Sequence, residues 1–291
     1  MDRKTFLRKG LLGTGAFVTG AAGVGAMTNA IDELKPLEPM GFNHIPNVDT
    51  PRTHQSVLHR ATTRGRAQHG WLDSHHTFSF ANYYNPERMH FGVLRVLNDD
   101  WVEAGRGFGT HPHDNMEIIS IPLEGDLMHR DSMGNEAVIR QGDIQVMSAG
   151  TGITHSEMNR NPDAPVKFLQ IWLFPNRKQV EPRYGQITLN AADRHNRLAQ
   201  ILSPSPDDAG VWIHQDAWFH LGRFDAGATA DYTVRRPGNG VYCFVIAGRF
   251  QIGDATLETR DGLGLWDLDG FSLASLDPDG QILLMDVPMT L

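Results

Sequence analysis

A chain of 291 residues, 40% hydrophobic and 21% charged, has ordinary globular composition and enough length for two compact domains, which excludes a largely disordered protein. Its net charge of -8 offers no basic surface to a phosphate backbone, so no nucleic-acid partner is expected. The single cysteine, Cys243, rules out an intrachain disulfide and a cysteine-based zinc knuckle.

In chain order, the first segment reads as a targeting signal over residues 1–30. Arg3, Lys4, Arg8 and Lys9 form a basic start, Gly10 to Met27 is free of charge, and Thr28-Asn29-Ala30 supplies small residues suited to cleavage. Asp2 to Arg8 resembles the twin-arginine export motif, with Lys4 in place of the second arginine. The expectation is a periplasmic protein exported after folding, with no membrane contact beyond the signal. An uncleaved inner-membrane anchor is the alternative, since the charge-free stretch is close to the shortest length that spans a bilayer. Residues 31–57, with Pro36, Pro39, Pro46 and Pro51, read as an extended linker.

From Leu58 the texture changes to short apolar runs closed by turn residues. Phe91 to Leu97 is strand-like and closed by Asn98-Asp99-Asp100; Glu117 to Leu123 is closed by Glu124-Gly125-Asp126. Leu127 to Arg130 and Ala137 to Arg140 flank the hairpin turn Asp131-Ser132-Met133-Gly134-Asn135, and Ile144 to Met147 and Val166 to Phe174 continue the series. The pattern recurs at Val241 to Ile246, Phe250 to Ile252, Leu263 to Trp266, Phe271 to Ser275 and Ile282 to Asp286. Many short strands without helical periodicity predict an all-β protein of two antiparallel barrels, one over 58–184 and a second over 185–291.

Two pairs carry the chemistry. His111 and His113, and likewise His155 and Glu157, are spaced i, i+2, which puts each pair on one face of a strand. Two such strands side by side would bring three imidazoles and a carboxylate to one point, a donor set for a divalent transition metal. Glu117 competes with Glu157 as the carboxylate, because it shares strand parity with His111 and His113. The histidines of the second half, His195, His214 and His220, are scattered, so no metal is expected there. His75, His76, Trp71, Phe78, Phe80, Met147, Trp172 and Cys243 read as core or packing residues.

Gly107 and Gly109 ahead of His111-Pro112-His113, followed by Glu117 and Gly125, resemble the first motif of the cupin superfamily; Gly142, Ser148-Ala149-Gly150, His155 and Asn159 resemble the second. Within that superfamily the match narrows to the pirin family. Its motifs are similar to His69-Gly70-Trp71-Leu72-Asp73-Ser74, Phe78-Ser79-Phe80, Gly109 to His113, Asp131 to Asn135, and Met147 to Ile153 running on to Glu157. The resemblance covers residues 58–291 and is densest in the first half. It implies a bicupin, two double-stranded β-helix barrels packed face to face. It also implies one mononuclear iron, Fe(II), in the first barrel on His111, His113, His155 and Glu157.

The ligand types alone also suit Zn, Cu, Mn, Ni or Co. Bacterial pirin-like proteins include quercetin 2,3-dioxygenases. The resemblance therefore implies a dioxygenase that takes a small hydroxylated aromatic and dioxygen, with Glu157 as the catalytic proton acceptor. A metal-binding redox-sensing or interaction protein without turnover is the alternative, and a cupin isomerase or sugar-binding barrel a third reading. A chain that already pairs two barrels is expected to be a monomer.

Overall fold

The computed structural model describes residues 54–291; the expected export signal and the linker as far as residue 53 lie outside the described residues. The chain opens with β1 (Gln55–His59), β2 (Gly65–Gln68), β3 (Leu72–His76), β4 (Leu94–Val102), β5 (Gly107–His113) and β6 (Glu117–Glu124). It continues through β7 (Leu127–Asp131), β8 (Glu136–Ile139), β9 (Asp143–Ser148), β10 (Ile153–Asn159), β11 (Val166–Leu173) and β12 (Arg183–Thr188). Then come β13 (Leu198–Ser203), β14 (Val211–Trp212), β15 (Trp218–Phe224), β16 (Thr229–Thr233) and β17 (Asn239–Ala247). The last are β18 (Phe250–Ile252), β19 (Ala255–Leu257), β20 (Gly262–Trp266), β21 (Gly270–Ser275) and β22 (Gly280–Pro288). Helical structure among the described residues is confined to two 3-10 segments, Ala61–Thr63 and Ala191–Arg194.

These strands form four sheets in two equivalent pairs. A seven-stranded sheet of order β12-β9-β6-β11-β4-β3-β2 faces a four-stranded sheet β5-β10-β7-β8; in the second half, β1-β20-β17-β22-β15-β13-β14 faces β16-β21-β18-β19. Strand for strand the two orders correspond, with β16 standing where β5 stands and β21 where β10 stands. The side-chain period of two explains how the layers stack. On β11, Leu169, Ile171 and Leu173 enter a core shared with Phe219, Phe244, Leu283 and Met285 of the second half. Its alternate residues Phe168 and Trp172 pack inside the first half instead. The two large sheets therefore lie face to face, and central strands buried on both faces read in sequence as unbroken apolar runs. Each such Leu or Ile adds about 1.5–3 kcal/mol by leaving water, which makes this shared layer the main bond between the halves.

Two expectations need correction. Asn98-Asp99-Asp100 does not close a strand: β4 runs through it to Val102, pairing with β3 on one side and β11 on the other. Tertiary pairing overrides the local turn preference, and the two aspartates find partners, Asp100 accepting from Ser74 Oγ. Asp99 meets Arg64 at 3.4 Å and Arg260 at 2.9 Å. The seam between the halves also differs from the expected 184/185 boundary. β12 spans that point and pairs with β9 as far as Thr188, whereas β1 pairs with β20 of the second half from Gln55 to His59. The linker expected to run to residue 57 is thus already strand from Gln55.

That exchange is anchored by His59 Nδ1, 2.9 Å from the Tyr242 hydroxyl, and by Arg60, 2.7 Å from Asp261. A chain beginning at Arg60 is expected to lose protection of the β20 amides, Gly262 to Trp266, in hydrogen exchange, while β9 amides stay protected. Equal loss in both sheets would contradict the pairing.

Candidate metal centre

β5 and β10 run antiparallel with His155 opposite His111 and Ile153 opposite His113, and a bulge separates His155 from Glu157. Gly107 makes the close approach possible, since a side chain there would strike the Glu157 carbonyl. At the turn before β10, Gly150 adopts φ +48° beneath the Val180 carbonyl, a conformation and a space that suit only glycine. Around it, Asn115 N–H donates to the Gly150 carbonyl at 2.9 Å and Thr151 N–H to that of Val180 at 2.9 Å. The loops at this end are thus knitted together beside the paired strands.

The imidazoles of His111, His113 and His155 meet inside the first half, 5%, 7% and 2% exposed. Their ring centroids are 4.9 Å (His111–His113), 4.4 Å (His111–His155) and 4.9 Å (His113–His155) apart. One nitrogen from each lies within 4.8 Å of the other two. His111 Nδ1 sits 2.7 Å from the Gly109 carbonyl, an acceptor, so Nδ1 carries the proton and Nε2 presents a lone pair. Three buried imidazole nitrogens at this spacing fit a divalent transition metal. This is the only cluster of potential metal ligands among the described residues. At the corresponding place in the second half, β16 and β21 carry Asp231, Tyr232 and Phe271 in register, with no histidine.

The two carboxylates separate clearly. Glu157 is buried on the same face of β10 as His155, but it is not part of the set within 4.8 Å. Its Oε1 accepts hydrogen bonds from Gln170 Nε2 at 2.9 Å and Ser120 Oγ at 3.1 Å. Glu117 faces the other way. The turn Asp114 to Met116, with Asn115 at φ 44°, breaks the parity between β5 and β6. On β6, Ile118 joins the apolar cluster inside the first half while Ile119 joins the core between the halves. Glu117 shares the side of Ile119, and its Oε2 accepts from Ser148 Oγ at 2.7 Å. Burial pushes this carboxyl up to about 7, against the opposing pull of Ser148, Arg183 and the His214 backbone N–H. Parity counted across a turn is thus the wrong guide, and Glu117 is no candidate ligand.

Sequence reading missed three features of the surroundings. Gln170, a polar residue on the inward face of the strand Val166–Leu173, reaches Glu157. His129 lies with its ring 5.3 Å from that of His155, and its Nε2 is 3.0 Å from Asp131 Oδ2. Asp131 Oδ1 meanwhile accepts from the backbone N–H groups of Met133 and Asn135, so the hairpin turn also anchors a histidine beside the triad. Trp172, expected only as core, sets its ring edge-on to His113 at 4.8 Å. Of the other packing expectations, Phe78, Met147 and Cys243 are buried and His76 meets Phe80 edge-on at 5.2 Å, whereas Trp71 and His75 are only half-buried. A cleft of about 220 Å³ between the halves, lined by Leu123, Gln141, Arg194 and Gln281, contains none of the triad.

Comparison with known proteins agrees with this geometry. Residues 58–173 match the family description Pirin, and residues 200–287 match the description Quercetinase C-terminal cupin domain. The chain is 42% identical over 231 residues to a quercetin 2,3-dioxygenase of Escherichia coli strain K12, covering 79% of this chain and 98% of that one. It is 37% identical over 223 residues to a pirin-like protein of Caulobacter vibrioides, covering 76% and 95%. The crystal structure of the bacterial pirin YhhW in complex with nickel(II) from Escherichia coli superposes with a TM-score of 0.76 at 40% identity, covering 80% of this chain and 99% of that one. With the two-pair sheet architecture, the buried histidine triad and relatives matched along nearly their whole length, the chain belongs to the pirin family.

Proposed function

We propose that the protein is a metal-dependent dioxygenase acting on a flavonol or a related hydroxylated aromatic. The observation that carries this reading is the buried His111, His113 and His155 triad in a chain 42% identical to a protein named quercetin 2,3-dioxygenase. His111, His113 and His155 would hold the metal, with Glu157 completing the set, and Fe(II) is the metal we propose. The nickel(II) complex of the related pirin supports a divalent ion at such a site, and nitrogen and oxygen donors without thiolate suit either metal.

A bound divalent metal supplies Lewis acidity that lowers the pKa of a substrate hydroxyl, together with a redox-active centre. The protein's own residues do the rest. Glu157 receives the hydroxyl proton at Oε2, since Oε1 already accepts from Gln170 and Ser120. Trp172, with Phe80 against it at a ring distance of 5.4 Å, forms an apolar wall beside His113 that keeps water from the substrate's aromatic face.

Metal-loaded protein is expected to consume quercetin and dioxygen together in an oxygen-electrode assay and to stop when oxygen is removed. Undiminished quercetin loss under argon would sink the dioxygenase reading, and no loss with any metal would favour a metal-binding protein without turnover. We also propose that the protein acts outside the cytoplasm as a monomer. The basic start and charge-free stretch of residues 1–30 support export, and the shared core between the large sheets already covers their inner faces. Residues 1–30 fused to a reporter active only after export should give signal, and replacing Arg3 and Lys4 by glutamine should remove it.

A further inference from the structure

Gln170 is 5% exposed, and its strand's other inward-facing residues, Val166, Phe168 and Trp172, are apolar. An amide in such a place costs free energy unless its groups are hydrogen-bonded. Its Oε1 accepts from the indole Nε1–H of Trp172 at 3.0 Å. Its Nε2 donates to Glu157 Oε1 at 2.9 Å and to Ser120 Oγ at 3.2 Å. The orientation follows from chemistry. An indole N–H only donates, so the amide oxygen must face Trp172 and the NH₂ group must face Glu157. Because Ser120 Oγ already accepts from Gln170, its single proton goes to Glu157 Oε1, 3.1 Å away.

Oε1 of Glu157 thus takes two hydrogen bonds, which occupy both of its lone pairs. We infer that Gln170 is a positioning residue that makes Glu157 a one-oxygen donor to the metal, through Oε2. This inference rests on the metal-centre reading above. A carboxylate that chelated through both oxygens would take two coordination positions, whereas one held through Oε2 alone takes one and leaves another for substrate. The same chain touches a second ligand, because the Trp172 ring that locks the amide stands edge-on to His113 at 4.8 Å. β6 contributes Ser120, β10 Glu157 and β11 both Gln170 and Trp172, so the clamp exists only once the two sheets of the first half have closed on each other.

The test is a double-mutant cycle read by cobalt(II) titration, with the affinity and the visible ligand-field spectrum measured on the full chain. Gln170→Leu should weaken cobalt(II) by about 10–100-fold, the range seen when the outer partners of a metal ligand are removed, and should change the spectrum. In a Glu157→Gln background the same Gln170→Leu change should have no further effect on affinity or spectrum. Ile171→Val, on the opposite face of the strand, should leave both unchanged and serves as the packing control. An equal Gln170→Leu effect in the two backgrounds would show a merely structural residue and overturn the inference. So would unchanged affinity and spectrum in Glu157→Gln, which would leave the histidine triad standing. Wild-type protein that takes up no stoichiometric cobalt(II) would overturn the metal-centre reading and this inference together.

Discussion

Replacing His155 by alanine is expected to abolish metal binding and lower turnover by more than the roughly 10–100-fold that a change outside the ligand shell produces. His155 is the middle of the cluster. Its strand lies between β5 and β7, opposite His111 on one side and Asp131 on the other. Its ring is 4.4 Å from that of His111 and 4.9 Å from that of His113. Two remaining imidazoles cannot close a four-coordinate site. The cleanest readout is thermal. A metal that binds only the folded chain stabilises it by about 2.7 kcal/mol at a hundredfold excess over its Kd. Wild-type protein should show a rise in Tm with added metal, and His155→Ala none, with elemental analysis agreeing. One metal per chain retained in His155→Ala would exclude the triad as the binding site.

Glu117→Gln is expected to stabilise the protein above pH 7 and to change little at pH 4. The carboxyl is 1% exposed in the layer between the halves, and burial raises it to about 7. Because the folded state holds this proton more tightly than the unfolded chain, which releases it near pH 4.5, stability falls as pH rises between those values. Below pH 4.5 both states are protonated and the cost is absent; above 7 both are ionised and it is complete. A shift of this size corresponds to on the order of 3 kcal/mol. Arg183 and the hydrogen bonds from Ser148 and the His214 backbone already offset part of the burial cost in that shift. Glutamine keeps an oxygen for Ser148 without the charge. Denaturant midpoints of wild type and Glu117→Gln should converge at low pH and separate at high pH. A constant difference across the range would refute the titration.

Most of the first half was legible because its strands are amphipathic or wholly apolar and closed by turn residues. There, β6, β7, β9 and β11 differ from expectation by a residue or so at their ends, and in the second half Phe250–Ile252 has the expected bounds. The stretch from β13 to β16 was not legible. β13 passes from half-buried to buried along its length without a period of two, and β16 alternates but over only five residues with Tyr232 as its one buried side chain, too short to stand out. β4 was cut short for the opposite reason: Asn98, Asp99 and Asp100 carry strong local turn character that only partners distant in sequence overcome.

What the sequence determined by itself was which of the donor side chains share a strand face. An i, i+2 spacing on a strand fixes a shared face by backbone geometry alone, which is why His111 with His113, and His155 with Glu157, could be read without a structure. The metal-binding half and the all-β class follow from the same local periodicity. Tertiary structure decided what periodicity cannot carry across a turn or between strands. It turned Glu117 away from the triad, exchanged β1 into the second half and brought Gln170, Ser120 and Trp172 to Glu157 and His113. These contacts join residues 13 to 59 positions apart. Only the closing of the two sheets, driven by burial of their apolar faces, brings them into contact.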